Sequence, residues 1–360
     1  MSRNISTDGL QDISARRICL IKPSALGDVV QTLPLLGALR HRFPEAEISW
    51  VINQDLAELI TGHPELTEVI RFNRRGSWSE SFRLMRSLGQ RRFDLVFDLQ
   101  GLARTALMNW ATAAKLRIGL ESALEGSRLA CHRLLPNSNR DVPAHARYWR
   151  VAEALGVGDL PRTTHIPIFE NDRLWATEHL KELTGPILAV HPGARWKTKR
   201  WPAEKFAAVV TKASETFGAS VVTVGSRKET EFTQPIVEAV LARGGRALDL
   251  AGVTNLKQLA AVLQAADVLL SNDSGPMHLA AGLGTPVVGV FTCTSPVISG
   301  PPGDHHALVS TSVSCAAGYH KNCPHLGSGH LACLEELSTS RVWNALVQQL
   351  TRQTAEVCSV

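Results

Sequence analysis

Ser271–Gly284 reads SNDSGPMHLAAGLG. Ahead of it, Ala266–Leu270 is a short apolar run of the kind that forms a buried strand, and an alanine-rich apolar pattern at helical spacing begins near Pro276. A strand that empties through small and polar residues into a helix presents free backbone N–H groups at the junction, and such a terminus receives anions. Asp273 needs a polar partner in that setting, and His278 falls within the first turns of the helix. Farther out, Ser24-Ala25-Leu26-Gly27-Asp28 ends the first apolar run of the chain in the same way. Two loops of this kind in separate halves predict a two-domain enzyme for a phosphorylated, nucleotide-linked substrate.

The surrounding pattern extends this reading. Strands are predicted at Arg17–Lys22, Glu47–Val51, Glu68–Phe72, Phe93–Asp98 and Lys115–Gly119, with helices at Val29–Arg40 and Ser79–Leu88 and another opening after Gln100. Helices at His145–Leu155 and Leu174–Leu183 follow, and the cycle restarts with a strand at Ile187–His191. Helices at Pro202–Phe217, after Lys228 and at Leu256–Ala265 alternate with strands at Ser220–Val224, Ala247–Asp249, Val268–Leu270 and Pro286–Phe291. Such alternation predicts mostly parallel sheets covered by helices. Ligands of such sheets collect beyond the carboxyl ends of the strands. The polar exits Ser24–Asp28, Gln100–Arg104, His191–Arg200, Gly225–Glu229 and Ser271–His278 fall there.

The 360 residues suit two domains, and 44% apolar with 20% charged residues describes a globular chain. No run of eighteen apolar residues offers a membrane span. Met1–Ala15 lacks the pattern of a secretory signal and is expected to be a loose tail. Net charge is +5, with Arg71, Arg74, Arg75, Arg83, Arg86, Arg91 and Arg92 in one region. That region reads either as a solvated face or as a surface for an anionic acceptor or lipid headgroups. No nucleic-acid-binding motif accompanies it. Seven cysteines without a signal argue against a disulfide framework.

The stretches IKPSALGDVVQTLP (Ile21–Pro34), DLQGLARTAL (Asp98–Leu107), HPGARWKTKRWP (His191–Pro202) and SNDSGPMHLAAGLGTPVVGVFTCTSP (Ser271–Pro296) together resemble glycosyltransferase family 9, the lipopolysaccharide heptosyltransferases. The resemblance runs from Arg17 onward. It implies an α/β chain of GT-B fold: two Rossmann-like domains with mostly parallel sheets facing a central cleft. Beyond a tail at 1–16, it places an acceptor domain at 17–165, a linker region at 166–185 and a nucleotide-sugar donor domain at 186–335. A final segment, 336–360, is expected to cross back to the first domain.

Asp28, at a helix start, is by its position either a capping carboxylate or a general base that deprotonates an acceptor hydroxyl. The resemblance selects the base. Lys199, which charge alone would leave as part of a solvated loop, matches the family's phosphate-binding lysine, suited to charge on a departing diphosphate. Ser274 and Gly275 supply a cradle for phosphate oxygens. Asp273 would orient donor-sugar hydroxyls or the loop itself, and His278 reads as a packing histidine or a phosphate contact. Family analogy makes Glu229 a ribose ligand, chemistry that suits a carboxylate facing paired hydroxyls; an exposed helix-start glutamate is the simpler alternative. Arg104 is an acceptor-side candidate for a carboxylate or phosphate, with Ser24 and Gly27 in the first loop beside it.

Cys315, Cys323 and Cys333 lie among histidines at spacings looser than a compact zinc site. Relatives often carry an extra cysteine near the first, where this chain has Gly318, so no metal is expected. The expectation is an inverting, metal-independent transferase without cofactor, moving a heptose from ADP-heptose to an inner-core lipopolysaccharide acceptor. Its expected setting is cytoplasmic, with peripheral contact at the inner membrane and no nucleic-acid partner. The rival readings are a sugar-nucleotide epimerase or hydrolase of the same architecture and a non-catalytic nucleotide-binding protein of envelope assembly.

Overall fold

The computed structural model describes residues 5–357, with side chains through residue 352. Residues 1–4 of the expected tail and 358–360 of the final segment lie outside the described residues. The backbone divides into two compact units between Pro167 and Ile168.

The first unit is built on β1 (Arg17–Ile21), β2 (Glu47–Asn53), β3 (Glu68–Phe72), β4 (Leu95–Asp98), β5 (Leu116–Leu120) and β6 (Arg133–Leu135). The second is built on β7 (Ile187–His191), β8 (Ser220–Thr223), β9 (Ala247–Asp249), β10 (Val268–Asn272), β11 (Val287–Phe291) and β12 (Ala307–Ser310). Sheet order is β3-β2-β1-β4-β5-β6 in the first and β12-β11-β10-β7-β8-β9 in the second, with every strand pair parallel. Read from the other edge, the second order repeats the first. The order reverses beside β1 and again beside β7. Loops leaving β1 and β4, or β7 and β10, therefore part to opposite faces and open a crevice at the carboxyl edge of their own sheet.

The central strands are apolar throughout because both faces are covered: Ile18, Cys19, Leu20 and Ile21 of β1 are all fully buried. In the second unit Val190, Leu270, Val288 and Phe206 share one core with Val342, Leu346 and Leu350 of the final helix, Thr339–Val357. The i, i+4, i+8 spacing of those three residues places them on one stripe of that helix.

The structure corrects several boundaries. The helix expected over Val29–Arg40 is two, Leu26–Thr32 and Pro34–Arg42, because Pro34 lacks the N–H that would continue the first and is suited to start the second. The segment expected as a linker, 166–185, contains a helix, Glu170–Leu180, that packs through buried Ala176 and Leu180 in the second unit. In the expected tail, Leu10 is buried, Ile5 bridges Leu134 of β6, and Arg42 donates to the Gln11 and Ile13 carbonyls at 2.6 and 2.7 Å. A buried leucine and backbone bonds of this kind hold residues 5–13 against the first unit.

Candidate active site

The first crevice forms where β1 ends. Lys22 follows the strand and is 2% exposed, and the loop Pro23–Ala25 delivers Asp28 to the first turn of Leu26–Thr32. Tyr148, from the helix Ala144–Ala154, donates its hydroxyl to Asp28 Oδ1 at 2.6 Å. The Ala25 N–H donates to Oδ2 at 3.2 Å, and Lys22 Nζ stands 3.8 Å from the same oxygen. Burial pushes the Asp28 pKa upward, but Lys22, the Tyr148 hydroxyl and the Ala25 N–H outweigh it and hold the carboxyl below its ordinary value. Burial lowers the Lys22 pKa against the pull of Asp28, and burial with the Asp28 charge raises that of Tyr148, which stays a donor. The Asp28 side chain remains 34% exposed. It is thus an ionised carboxylate that solvent or a substrate hydroxyl can reach.

β4 ends beside this group. Buried Asp98 accepts from the Gln100 and Gly101 N–H groups at 3.1 and 3.0 Å and from Thr105 Oγ1 at 3.0 Å. Burial outweighs these bonds and raises its pKa to about 6. Gln100 in turn accepts from the Ser24 N–H at 3.3 Å, tying the two loops together. Gly101 holds a φ of 65°, and a Cβ there would meet Ala123 at 2.8 Å, so glycine is required. Arg104 is exposed at the start of the helix Ala103–Ala111, its guanidinium 5.6 Å from the centre of the Phe72 ring. Gly27 is buried in the first turn beside Asp28.

The second crevice lies at the exits of β7, β8, β10 and β11. Lys199 Nζ donates to Asp273 Oδ2 at 2.6 Å, and Thr294, from the loop after β11, donates to the same oxygen at 2.6 Å. Asn272 binds that arrangement to the β7 loop: its Nδ2 donates to the Pro192 carbonyl at 2.7 Å, and its Oδ1 accepts from the Trp201 N–H at 3.1 Å. The Lys199 ammonium also lies 5.0 Å from the centre of the Trp196 ring. Ser274 precedes the helix Gly275–Gly282, and its hydroxyl lies 3.0 Å from both Ser271 Oγ and His191 Nδ1. The other face of that imidazole turns to Glu229: Nε2 and Oε1 are 3.6 Å apart, an electrostatic contact longer than a hydrogen bond.

Glu229 Oε2 accepts from the Ser226 N–H at 2.8 Å and from Ser226 Oγ at 2.7 Å. Burial acts to raise its pKa, but His191 and Ser226 hold it at about 2. Gly193 makes this geometry accessible, since a Cβ there would overlap Glu229 Oε1. His278 is buried, close enough to His306 to help depress that residue's pKa to about 4, behind burial and His305.

The residues singled out from sequence therefore gather in two places. Asp28, Ser24, Gly27 and Arg104 lie at the carboxyl edge of the first sheet; Lys199, Glu229, Asp273, Ser274, Gly275 and His278 lie at that of the second. Sequence reading gave no individual role to Lys22, Tyr148, Gln100, His191, Asn272 or Thr294. Lys22 carried a signal, a lysine at the buried end of an apolar strand, and Tyr148 is one of only two tyrosines. Among the described residues no group of three or more His, Cys, Asp and Glu side chains is placed to hold an ion. Cys315, Cys323 and Cys333 are free thiols, and burial first, then neighbouring thiols, raises the Cys333 pKa to about 11.

Two parallel α/β units of one strand order, each with a polar crevice at its own switch point, give a GT-B-like pair of Rossmann-like units. The family model of glycosyltransferase family 9 (heptosyltransferase) matches residues 81–327. The chain belongs to that family and is a glycosyltransferase. The lipopolysaccharide core heptosyltransferase OpsX of Haemophilus influenzae is 27% identical over 300 residues, covering 82% of this chain and 84% of that protein. Lipopolysaccharide heptosyltransferase 2 of Salmonella typhimurium is 28% identical over 318 residues, covering 85% and 90%. Among solved structures, the family 9 glycosyl transferase of Veillonella parvula superposes with a TM-score of 0.80 at 27% identity, covering 94% of this chain and 98% of the other.

Proposed function

We propose that the chain transfers a heptose from ADP-heptose to an inner-core lipopolysaccharide acceptor, with inversion and without a metal. The observation that carries the reading is Asp28: a carboxylate kept ionised by Lys22, Tyr148 and a backbone N–H, yet open on one side. Asp28 takes the proton of the acceptor hydroxyl while that oxygen forms its bond to the anomeric carbon. The carbon–oxygen bond to the diphosphate breaks on the opposite face, and the departing oxygen gains the electron pair. Lys199 and the N-terminus of Gly275–Gly282 receive the charge, with no metal required for that step. Asp273 and Thr294 hold the lysine in place, which favours a positioning role for Asp273 over direct contact with the sugar. Glu229, steadied by Ser226 and His191, takes the ribose hydroxyls through its less occupied oxygen.

On this reading the first unit binds the acceptor, through Arg104 and the Ser24–Asp28 loop, and the second binds the donor. The names of the relatives support heptose and lipopolysaccharide; ADP as the nucleotide follows from the family resemblance. The proposed setting is the cytoplasmic face of the inner membrane. The test is a mass-spectrometric screen of ADP-, UDP- and GDP-sugars against truncated lipid A–core acceptors in the presence of a chelator. Heptose added to acceptor from ADP-heptose supports the proposal. Donor bound or hydrolysed with no transfer to any acceptor overturns it.

A further inference from the structure

We propose that the first unit docks on an anionic lipid bilayer through the outer face of the helices Trp78–Gln90 and Ala103–Ala111. This deepens the membrane part of the function proposed above and is independent of donor and acceptor identity. Both helices lie on one side of the first sheet, because Leu84, Met85 and Leu88 of one and Met108 of the other enter a single core cluster with Val96. Away from that core both helices expose large apolar side chains. Trp78 and Phe82, one turn apart, are 93% and 69% exposed, and Leu107 and Trp110, also one turn apart, are 58% and 69% exposed. Leu129, 75% exposed, lies on the 3-10 turn Ser127–Ala130, which packs on the second helix. Scattered apolar side chains are ordinary on a surface, but a group of large ones on two neighbouring helices marks a contact face.

The charges specify the partner. Arg74 and Arg75 lead into the first helix, and Arg83 and Arg86 project from it; all four are exposed. The nearby acids are engaged locally: Glu80 accepts from the Ser77 N–H at 2.7 Å, and Glu125 from the Ala103 N–H at 3.0 Å. Rings interleaved with guanidiniums are the composition of a helix lying in a membrane interface, where the rings settle at the headgroup level and the cations meet phosphates. A protein partner would need an acid in register with each guanidinium, whereas a sheet of lipid phosphates needs no register. Among the described residues no helix is long and apolar enough to cross a membrane, so docking on the surface is the contact these helices can make.

The experiment is co-sedimentation of the full chain with vesicles of phosphatidylethanolamine and phosphatidylglycerol, against vesicles of phosphatidylcholine alone. We expect binding to the anionic vesicles that weakens as salt is raised. The pairs Trp78→Ser with Phe82→Ser, and Arg75→Ser with Arg86→Ser, should each lower the partition coefficient about tenfold or more. Turnover on a deacylated, water-soluble acceptor should stay unchanged, and melting temperatures guard against misfolding. Equal partitioning by parent and both variants, no binding to either vesicle, or loss of self-association rather than vesicle binding in the aromatic variant would each overturn the proposal. If transfer itself is absent, the vesicle measurement still decides the docking face.

Discussion

Replacing Tyr148 by Phe tests whether the protonation state of Asp28 governs transfer. The substitution keeps the ring and deletes one donor, the hydroxyl 2.6 Å from Asp28 Oδ1. A hydrogen bond to a charged group contributes ~1.5–3 kcal/mol, and ~1.4 kcal/mol corresponds to one pKa unit. Asp28 is 34% exposed, so water replaces part of the lost bond and the low end of that range applies. The hydroxyl binds the ionised form, so its removal raises the Asp28 pKa. The acid limb of the kcat/KM profile should move upward, leaving the rate about tenfold lower at acid pH and largely restored above the new limb. Steady-state kinetics across the acid-to-neutral range, on parent, Tyr148→Phe and Asp28→Asn, provide the measurement. An acid limb that does not move in a folded Tyr148→Phe protein with unchanged donor KM would refute the assignment of Asp28 as the base.

Other perturbations act on the second unit. Lys199→Ala should lower kcat by about 10²–10³ with acceptor KM little changed, and Lys199→Arg should recover part of the loss in the same single-turnover assay. Gly193→Ala should push Glu229 aside and weaken nucleoside-diphosphate binding about tenfold by titration calorimetry, leaving the first unit undisturbed. Glu229 has a folded pKa of about 2 against an ordinary 4.5, so its stabilisation is complete above the unfolded value and disappears as pH falls towards 2. Glu229→Gln should therefore cost on the order of 3 kcal/mol near neutrality, with the melting-temperature gap to the parent closing as pH drops from about 5.

The division between what sequence revealed and what it concealed follows burial and distance. Central strands such as β1 and β10 are covered on both faces, so their apolar runs stand out between polar loops. The edge strands β6 and β12 were not foreseen: they are short, and Ala307–Ser310 is only partly buried, leaving little periodic signal. The helix Gln54–Ile60 escaped because it begins directly at the end of β2, with no turn residues between them. In the site, Asp28 and Asp273 stood out in the sequence at strand-to-helix junctions, whereas Lys199 was singled out by the family resemblance, since its charge alone reads as a solvated loop. Tyr148 lies far from Asp28 in the chain, and Thr294 reaches Asp273 from a different strand exit. Such partners are brought together by sheet order, which local patterns do not encode.

The position of β1 also bears on how the chain is made. Its residues hydrogen-bond to β2 on one side and to β4 on the other. During synthesis β2 emerges soon afterwards, but β4 appears only after β3 and the helix Trp78–Gln90. Until then the nascent chain carries an apolar strand with one open edge, the kind of segment that pairs with the wrong neighbour. The second unit repeats the wait, with β7 held open until β10 is complete, and its core closes only when Leu346 and Leu350 have left the ribosome. A nascent chain arrested before β4 should therefore aggregate, one released at Pro167 should contain every strand of its own sheet, and one cut before Leu346 should expose the core of the second unit.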